Sequence, residues 1–243
     1  MKIFQLLAKK KNTSESYLGM QKKQYDRDAS NWSLDNLNPV VGSYNEHNQF
    51  EDYEKYLFRG INTTDMIALE YGAGPGRNLI RFNSKFRRID AVDISEVNKE
   101  KCKENLLCNN IQIPNYFITT GDNIPAGSNS YDLVFSVICL QHICAHEIRY
   151  AIMTDIYRVL KNGGWFCAQM GYGGKDDLNS IAEYYDNKFD AKGTNGAHDV
   201  SITNEKDLID DLKKIGFKNY SSDIGLVGPG DNHKNWIWFR VKK

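Results

Sequence analysis

Three glycines two residues apart, Gly72, Gly74 and Gly76, follow a short apolar run that ends in Glu70 and Tyr71. Glycine takes positive φ and lets main-chain N–H and C=O groups approach a ligand closely, so such a turn suits a nucleotide-like molecule. The spacing is G-x-G-x-G, whereas a dinucleotide-binding turn needs G-x-G-x-x-G. About twenty residues further on, a second short run ends in Asp93, the distance at which a βαβ unit delivers a carboxylate to ribose hydroxyls. A helix cap shared with Ser95 is the other use for that acid. His142 follows a third apolar run, and an imidazole can take a proton near neutral pH. Two readings of it stay open, a general base and a structural turn formed by Gln141, His142 and Ile143.

These residues need a frame of alternating strands and helices. Strands are expected at 66–71, 88–92, 116–120, 133–137 and 165–170, and helices at 77–83, 96–109 and 146–160. That alternation implies a parallel sheet covered on both faces, with right-handed crossovers. A helix capped near Thr203 then covers 204–215, and 218–224 and 235–241 read as two further strands. Before residue 63, apolar residues within 48–58 recur at helical spacing. A polar, glycine-containing stretch spans 171–201, and 193–199 within it reads as a loop.

The ordered set of glycine turn, Asp93, Gly121-Asp122, the run 131–143 and the turn at Gly163-Gly164 resembles the class I S-adenosylmethionine-dependent methyltransferases. The resemblance covers roughly 65–241. It implies an α/β fold: a Rossmann-like, seven-stranded, mostly parallel sheet with the last strand antiparallel and helices on both faces. It also implies S-adenosyl-L-methionine as cofactor, with Glu70 near its ammonium, Asp93 on the ribose and Asp122 on the adenine amino group. Gly72, Ala73, Gly74, Gly76, Ile94, Asn123 and Val137 complete the expected cofactor site. Residues 1–63 are expected to form a helical cap or substrate lid, and 64–243 the methyltransferase domain with its insertion at 171–202.

The catalytic expectation falls on His142, because a base is needed only when the acceptor is a neutral hydroxyl or a protonated amine. Acceptor recognition is expected outside the cofactor motifs, at Tyr25, His47, Tyr172 and His198. Trp32, Tyr44, Tyr184, Tyr185 and His233 add to an aromatic set that mostly packs a small lid. His198 and Asp199 are adjacent with no third ligand in view, so no metal is expected.

Lys plus Arg and Asp plus Glu both number 31 in 243 residues. Zero net charge argues against a surface that owes its affinity to phosphate backbones, so nucleic acid is not the expected partner. The five cysteines are odd in number and lack metal-binding spacing, which fits a reduced cytoplasmic protein. Nothing approaches a membrane-spanning run, no signal-peptide pattern follows the start, and the basic segment 1–11 reads as a frayed or docking amphipathic helix. The expected reaction is therefore methylation of a small polar acceptor, with oxygen of a glycan or nucleotide-activated precursor ahead of a lipid or quinone. A nicotinamide-dependent dehydrogenase and a catalytically silent nucleotide-binding module are the rivals.

Overall fold

Strand β1 (Ile67–Tyr71) is apolar apart from Glu70, and β4 (Tyr131–Ser136) carries Leu133, Val134 and Phe135 with no exposure at all. Such runs belong in the middle of a parallel sheet, buried on both faces. In the computed structural model β1 lies between β2 (Arg88–Asp93) and β4, parallel to both, with β3 (Tyr116–Ile118) beyond β2. The structure describes residues 2–30, 53–173, 182–189, 199–226 and 233–243, with side chains in the first helix from Ser14 onward.

Beyond β4 comes β5 (Leu160–Tyr172), paired parallel to it. Strand β9 (Asn235–Lys242) runs antiparallel along β5, and β8 (Lys218–Leu226) lies antiparallel on β9. The seven strands thus stand in the order β3-β2-β1-β4-β5-β9-β8. Only β9 runs against the rest, as expected from the sequence.

The stretch 171–202 differs from expectation. No strand was expected in it, yet it contributes β6 (Ala182–Glu183) and β7 (Val200–Ile202), making nine strands among the described residues. β7 pairs with the far end of β5, Gly171 opposite Ser201 and Tyr172 opposite Ile202, where β5 has outrun β4. Segments of two or three residues lack enough alternation to be seen in sequence; distant pairing makes them strands.

The pleat sends Leu69, Val134 and Phe166 to one face and Ala68, Leu133, Phe135 and Cys167 to the other. The first face is covered by α5 (His146–Val159) and α6 (Glu205–Ile215), through Ile148, Ile152, Met153, Ile156, Leu208 and Leu212. The second face packs Phe82, Phe86 and Leu106 from α3 (Arg77–Arg81), the turn after it and α4 (Glu96–Cys108), with Phe58 after α2 (Glu54–Leu57). Ser95 caps α4, its side chain accepting from the Asn98 amide, so Asp93 is not that cap. Asn204, one residue past the expected Thr203, caps α6.

The N-terminal helix is far longer than the short segment expected. α1 runs Lys2–Ser30, and it crosses the carboxyl edge of the sheet, contacting α4. Of the apolar stretch 48–58, the described residues show only α2 as helix. No helix among the described residues is long and apolar enough to cross a membrane.

Candidate active site

The glycine turn after β1 is fastened to the end of β2. The amides of Gly72 and Ala73 donate to the Val92 carbonyl at 2.8 and 3.2 Å. Gly72 has φ +76°, and a Cβ there would stand 2.3 Å from Cys139 Sγ, so both conformation and space demand glycine. The Gly74 amide donates to Asp93 Oδ2 at 2.9 Å, while its carbonyl accepts from the Tyr116 hydroxyl at 2.7 Å. Gly76 sits at the N-cap of α3, against Cys102 rather than on the ligand side.

Asp93 Oδ1 accepts from the Ser95 amide at 2.9 Å and from Asn98 Nδ2 at 3.2 Å. Burial raises its carboxyl above the ordinary value, against the pull of these donors. Glu70 is also buried. Its Oε1 accepts from Asn78 Nδ2 at 2.5 Å, and its Oε2 is a buried oxygen with no hydrogen-bond partner. Burial pushes the Glu70 carboxyl up to about 8, partly offset by Asn78 and Arg77.

Both acids line a cavity of ≈ 940 Å³, counting its open mouth. Gly72, Ala73 and Gly74 form its floor, Ile94 and Thr119 one side, and Val137, Ile138 and Cys139 the other. Burial pushes the Cys139 thiol up to about 12, which makes it a packing group and not a nucleophile. α1 supplies the roof through Tyr17, Leu18, Gln21 and Tyr25. Three contacts hold that roof down: Ser95 Oγ donates to Asp26 Oδ1 at 2.6 Å, Lys22 Nζ to the Ile94 carbonyl at 3.2 Å, and the Cys144 amide to the Tyr17 hydroxyl at 2.8 Å.

Most of the cofactor residues expected from the sequence therefore meet at one cavity: Glu70, Gly72, Ala73, Gly74, Asp93, Ile94 and Val137, with Tyr25 from the acceptor set. Asp122 and Asn123 are exposed just outside it, bonded to Thr120 and Thr119, and Thr119 and Gly121 are what line it there. Tyr172 ends β5 and is not part of the lining. His47 and His198, with Trp32 and Tyr44, lie outside the described residues. Of the roof residues only Tyr25 was expected; Tyr17, Leu18 and Gln21 were not, although Tyr17, Gln21 and Tyr25 recur every fourth residue, the spacing of one helix face.

The turn after β4 carries strain. Ile138 has φ +52°, rare for a β-branched residue. Its amide donates to Gln169 Oε1 at 2.9 Å, and Gln169 Nε2 donates to Gln141 Oε1 at 2.7 Å. Both glutamines are buried, so this pair holds the cavity wall in place. Gln169→Leu leaves the Ile138 amide without that acceptor and is expected to cost about 1–3 kcal/mol, read from the denaturant midpoint.

His142 closes the short 3-10 turn Leu140–His142, one residue before the cavity-lining Ile143. Its Nδ1 stands 2.5 Å from Asp199 Oδ1, a contact across 57 residues of chain. Asp199 is buried, and burial plus its charge and that of Asp93 help to push the Tyr25 phenol well above its ordinary value.

Residues 69–168 match the family model described as a methyltransferase domain. A comparison with curated proteins finds no match. Among solved structures, an S-adenosylmethionine-dependent methyltransferase from Methanosarcina mazei is similar at TM-score 0.56 and 15% identity, over 74% of this chain and 93% of that one. Phosphoethanolamine N-methyltransferase 2 of Haemonchus contortus, in complex with S-adenosyl-L-methionine, is similar at TM-score 0.57 and 18% identity, over 80% of this chain and 52% of that one. The cyclase SpnF shares the fold at TM-score 0.51 and 14% identity, over 66% of this chain and 54% of that one. Fold likeness alone does not choose a chemistry. The family match does: it runs from β1 through most of β5 and contains the glycine turn, both buried acids and His142. The family match over residues 69–168 and the shared fold support a class I S-adenosylmethionine-dependent methyltransferase.

Proposed function

We propose that the protein methylates an oxygen of a small polar acceptor, of the glycan or nucleotide-activated kind, with His142 as general base. The observation that carries this reading is the Asp199-paired imidazole beside the cavity, since an acceptor hydroxyl has a proton to lose. S-adenosylmethionine, when bound, supplies a methyl group on a sulfonium, an electrophile that needs no protein nucleophile.

The residues present fit that cofactor. Glu70 offers a buried oxygen with no partner, suited to an ammonium, and Asp93 keeps lone pairs for ribose hydroxyls beside the Gly74 amide. Ala73, Ile94 and Val137 supply apolar walls, and the α1 roof excludes water from the reacting centre. In this reading α1 and α2, the described parts of 1–63, form the cap, with Tyr25 facing the acceptor side. Asp122 would reach the adenine only by turning from Thr120. All five cysteines are free thiols, which supports a reduced, cytoplasmic setting.

A second reading has an amine as acceptor, favoured by the likeness to a phosphoethanolamine N-methyltransferase. The same base would serve a protonated amine. Calorimetric titration with S-adenosylmethionine, S-adenosylhomocysteine and NAD, followed by an acceptor screen that detects released S-adenosylhomocysteine, tests both. Binding of the two adenosyl compounds without NAD and turnover on hydroxyl acceptors are expected; turnover on amines alone would replace the first reading by the second. Asp93→Ala is expected to weaken S-adenosylmethionine binding by about 1.5–3 kcal/mol in the same titration. Unchanged affinity in a folded variant would remove Asp93 from the ribose.

A further inference from the structure

Three residues far apart in the chain converge where β5 outruns β4. His142 follows β4, Asp199 immediately precedes β7, and His233 lies two residues before β9. The pairing of Gly171 with Ser201 on β7 and with Trp236 on β9 brings the last two together. Asp199 stands between two imidazoles, its Oδ1 2.5 Å from His142 Nδ1 and its Oδ2 3.5 Å from His233 Nε2. The His233 side chain is 0% exposed and Asp199 3%, whereas His142 is 26% exposed. The array is thus buried at one end and open at the other.

Gly171 is what makes room for it. A Cβ at that position would lie 2.1 to 2.5 Å from three atoms of the His233 ring, Cε1, Nδ1 and Nε2. The backbone of β5 therefore serves as the bed on which this imidazole is seated.

We infer that Asp199 is the positioning residue of His142, and that His233, seated on Gly171, holds Asp199 for that task. This rests on the reading of His142 as the base. A carboxylate can only accept, so the proton of the short contact sits on Nδ1 and the lone pair is left on Nε2. The proton leaving the acceptor oxygen goes to Nε2, and the imidazolium so formed is stabilised by the carboxylate at its other nitrogen. A carboxylate with a second, fully buried ring packed beside it keeps its orientation while the first ring changes charge.

The test reads the tautomer directly. Long-range proton–nitrogen correlations of the imidazoles are recorded on ¹⁵N-labelled protein at pH 8, with and without S-adenosylhomocysteine. The signals of the five histidines are assigned with His142→Gln and His233→Gln. His142 is expected in the Nδ1–H form in the native protein and predominantly in the Nε2–H form in Asp199→Ala. The rate of methyl transfer is expected to fall about 10²-fold in that variant, with cofactor affinity unchanged. Asp199→Asn, of equal size, serves where the alanine variant fails to fold, and is likewise expected to lose the single tautomer. A native ring in the Nε2–H form, or one indifferent to Asp199, overturns the inference even where His142 proves essential. Full activity of His142→Ala, by contrast, removes the base, and with it the use of the pair in catalysis, whatever the tautomer.

Discussion

Affinity for S-adenosylmethionine is expected to rise about tenfold per pH unit between about pH 5.5 and 7, roughly thirtyfold in all, because Glu70 must lose a proton to meet the ammonium. Burial raises the Glu70 carboxyl to about 8, so at neutral pH it is mostly protonated before the ligand arrives. A cationic partner within reach of its buried Oε2 reverses that preference, and the proton leaves as the ligand enters. Over this window an α-amino group, ordinarily titrating near about 7.7–8.0, stays charged and adds little slope of its own. Calorimetry in buffers of differing ionisation enthalpy should count close to one proton released per site near pH 6.5. Glu70→Gln should flatten the dependence; a wild-type affinity that ignores pH would mean that Glu70 does not meet the charge. The stability of the free protein is expected to show the opposite trend. A carboxyl whose folded pKa lies above its unfolded value stabilises fully below the unfolded value, and that contribution is lost as pH rises from about 4.5 through 8. Bound cofactor should restore it.

The second large effect is at His142. Its replacement by alanine is expected to lower single-turnover methyl transfer by about 10²-fold or more, the usual contribution of a positioned base. Cofactor affinity should hardly change, because His142 is not part of the cavity lining. That split separates a base from a structural turn: a turn that collapsed would shift the neighbouring Ile143 and Cys144, and through Cys144 the roof at Tyr17, so that binding would fall as well. Equal rates in the variant and the native enzyme would return His142 to packing.

Features written in adjacent residues were legible in the sequence. The glycine turn, Asp93 and the helix that Ser95 caps are local, set by backbone conformation and short polar side chains. The mostly parallel sheet also followed, since continuous apolar runs such as 133–135 suit a strand buried on both faces. What escaped depends on distant partners. Asp199 looked like half of an unlikely metal pair until β7 set it against His142. His233 looked like one more lid aromatic until its ring was found over Gly171, a glycine kept for space and not for φ. Apart from Tyr25 the roof escaped, because α1 carries no strong apolar stripe; its Tyr17, Gln21 and Tyr25 mix polar and aromatic groups.

The way that roof is attached has a thermodynamic consequence. α1 is fixed at one point to Ile94 and Ser95, beside the buried acid Asp93, and at another to Cys144, two residues beyond His142. A tilt of this one helix thus alters both halves of the site together. Occupancy by the methyl donor and by its acceptor is then expected to be linked, each ligand changing the affinity of the other by the same factor.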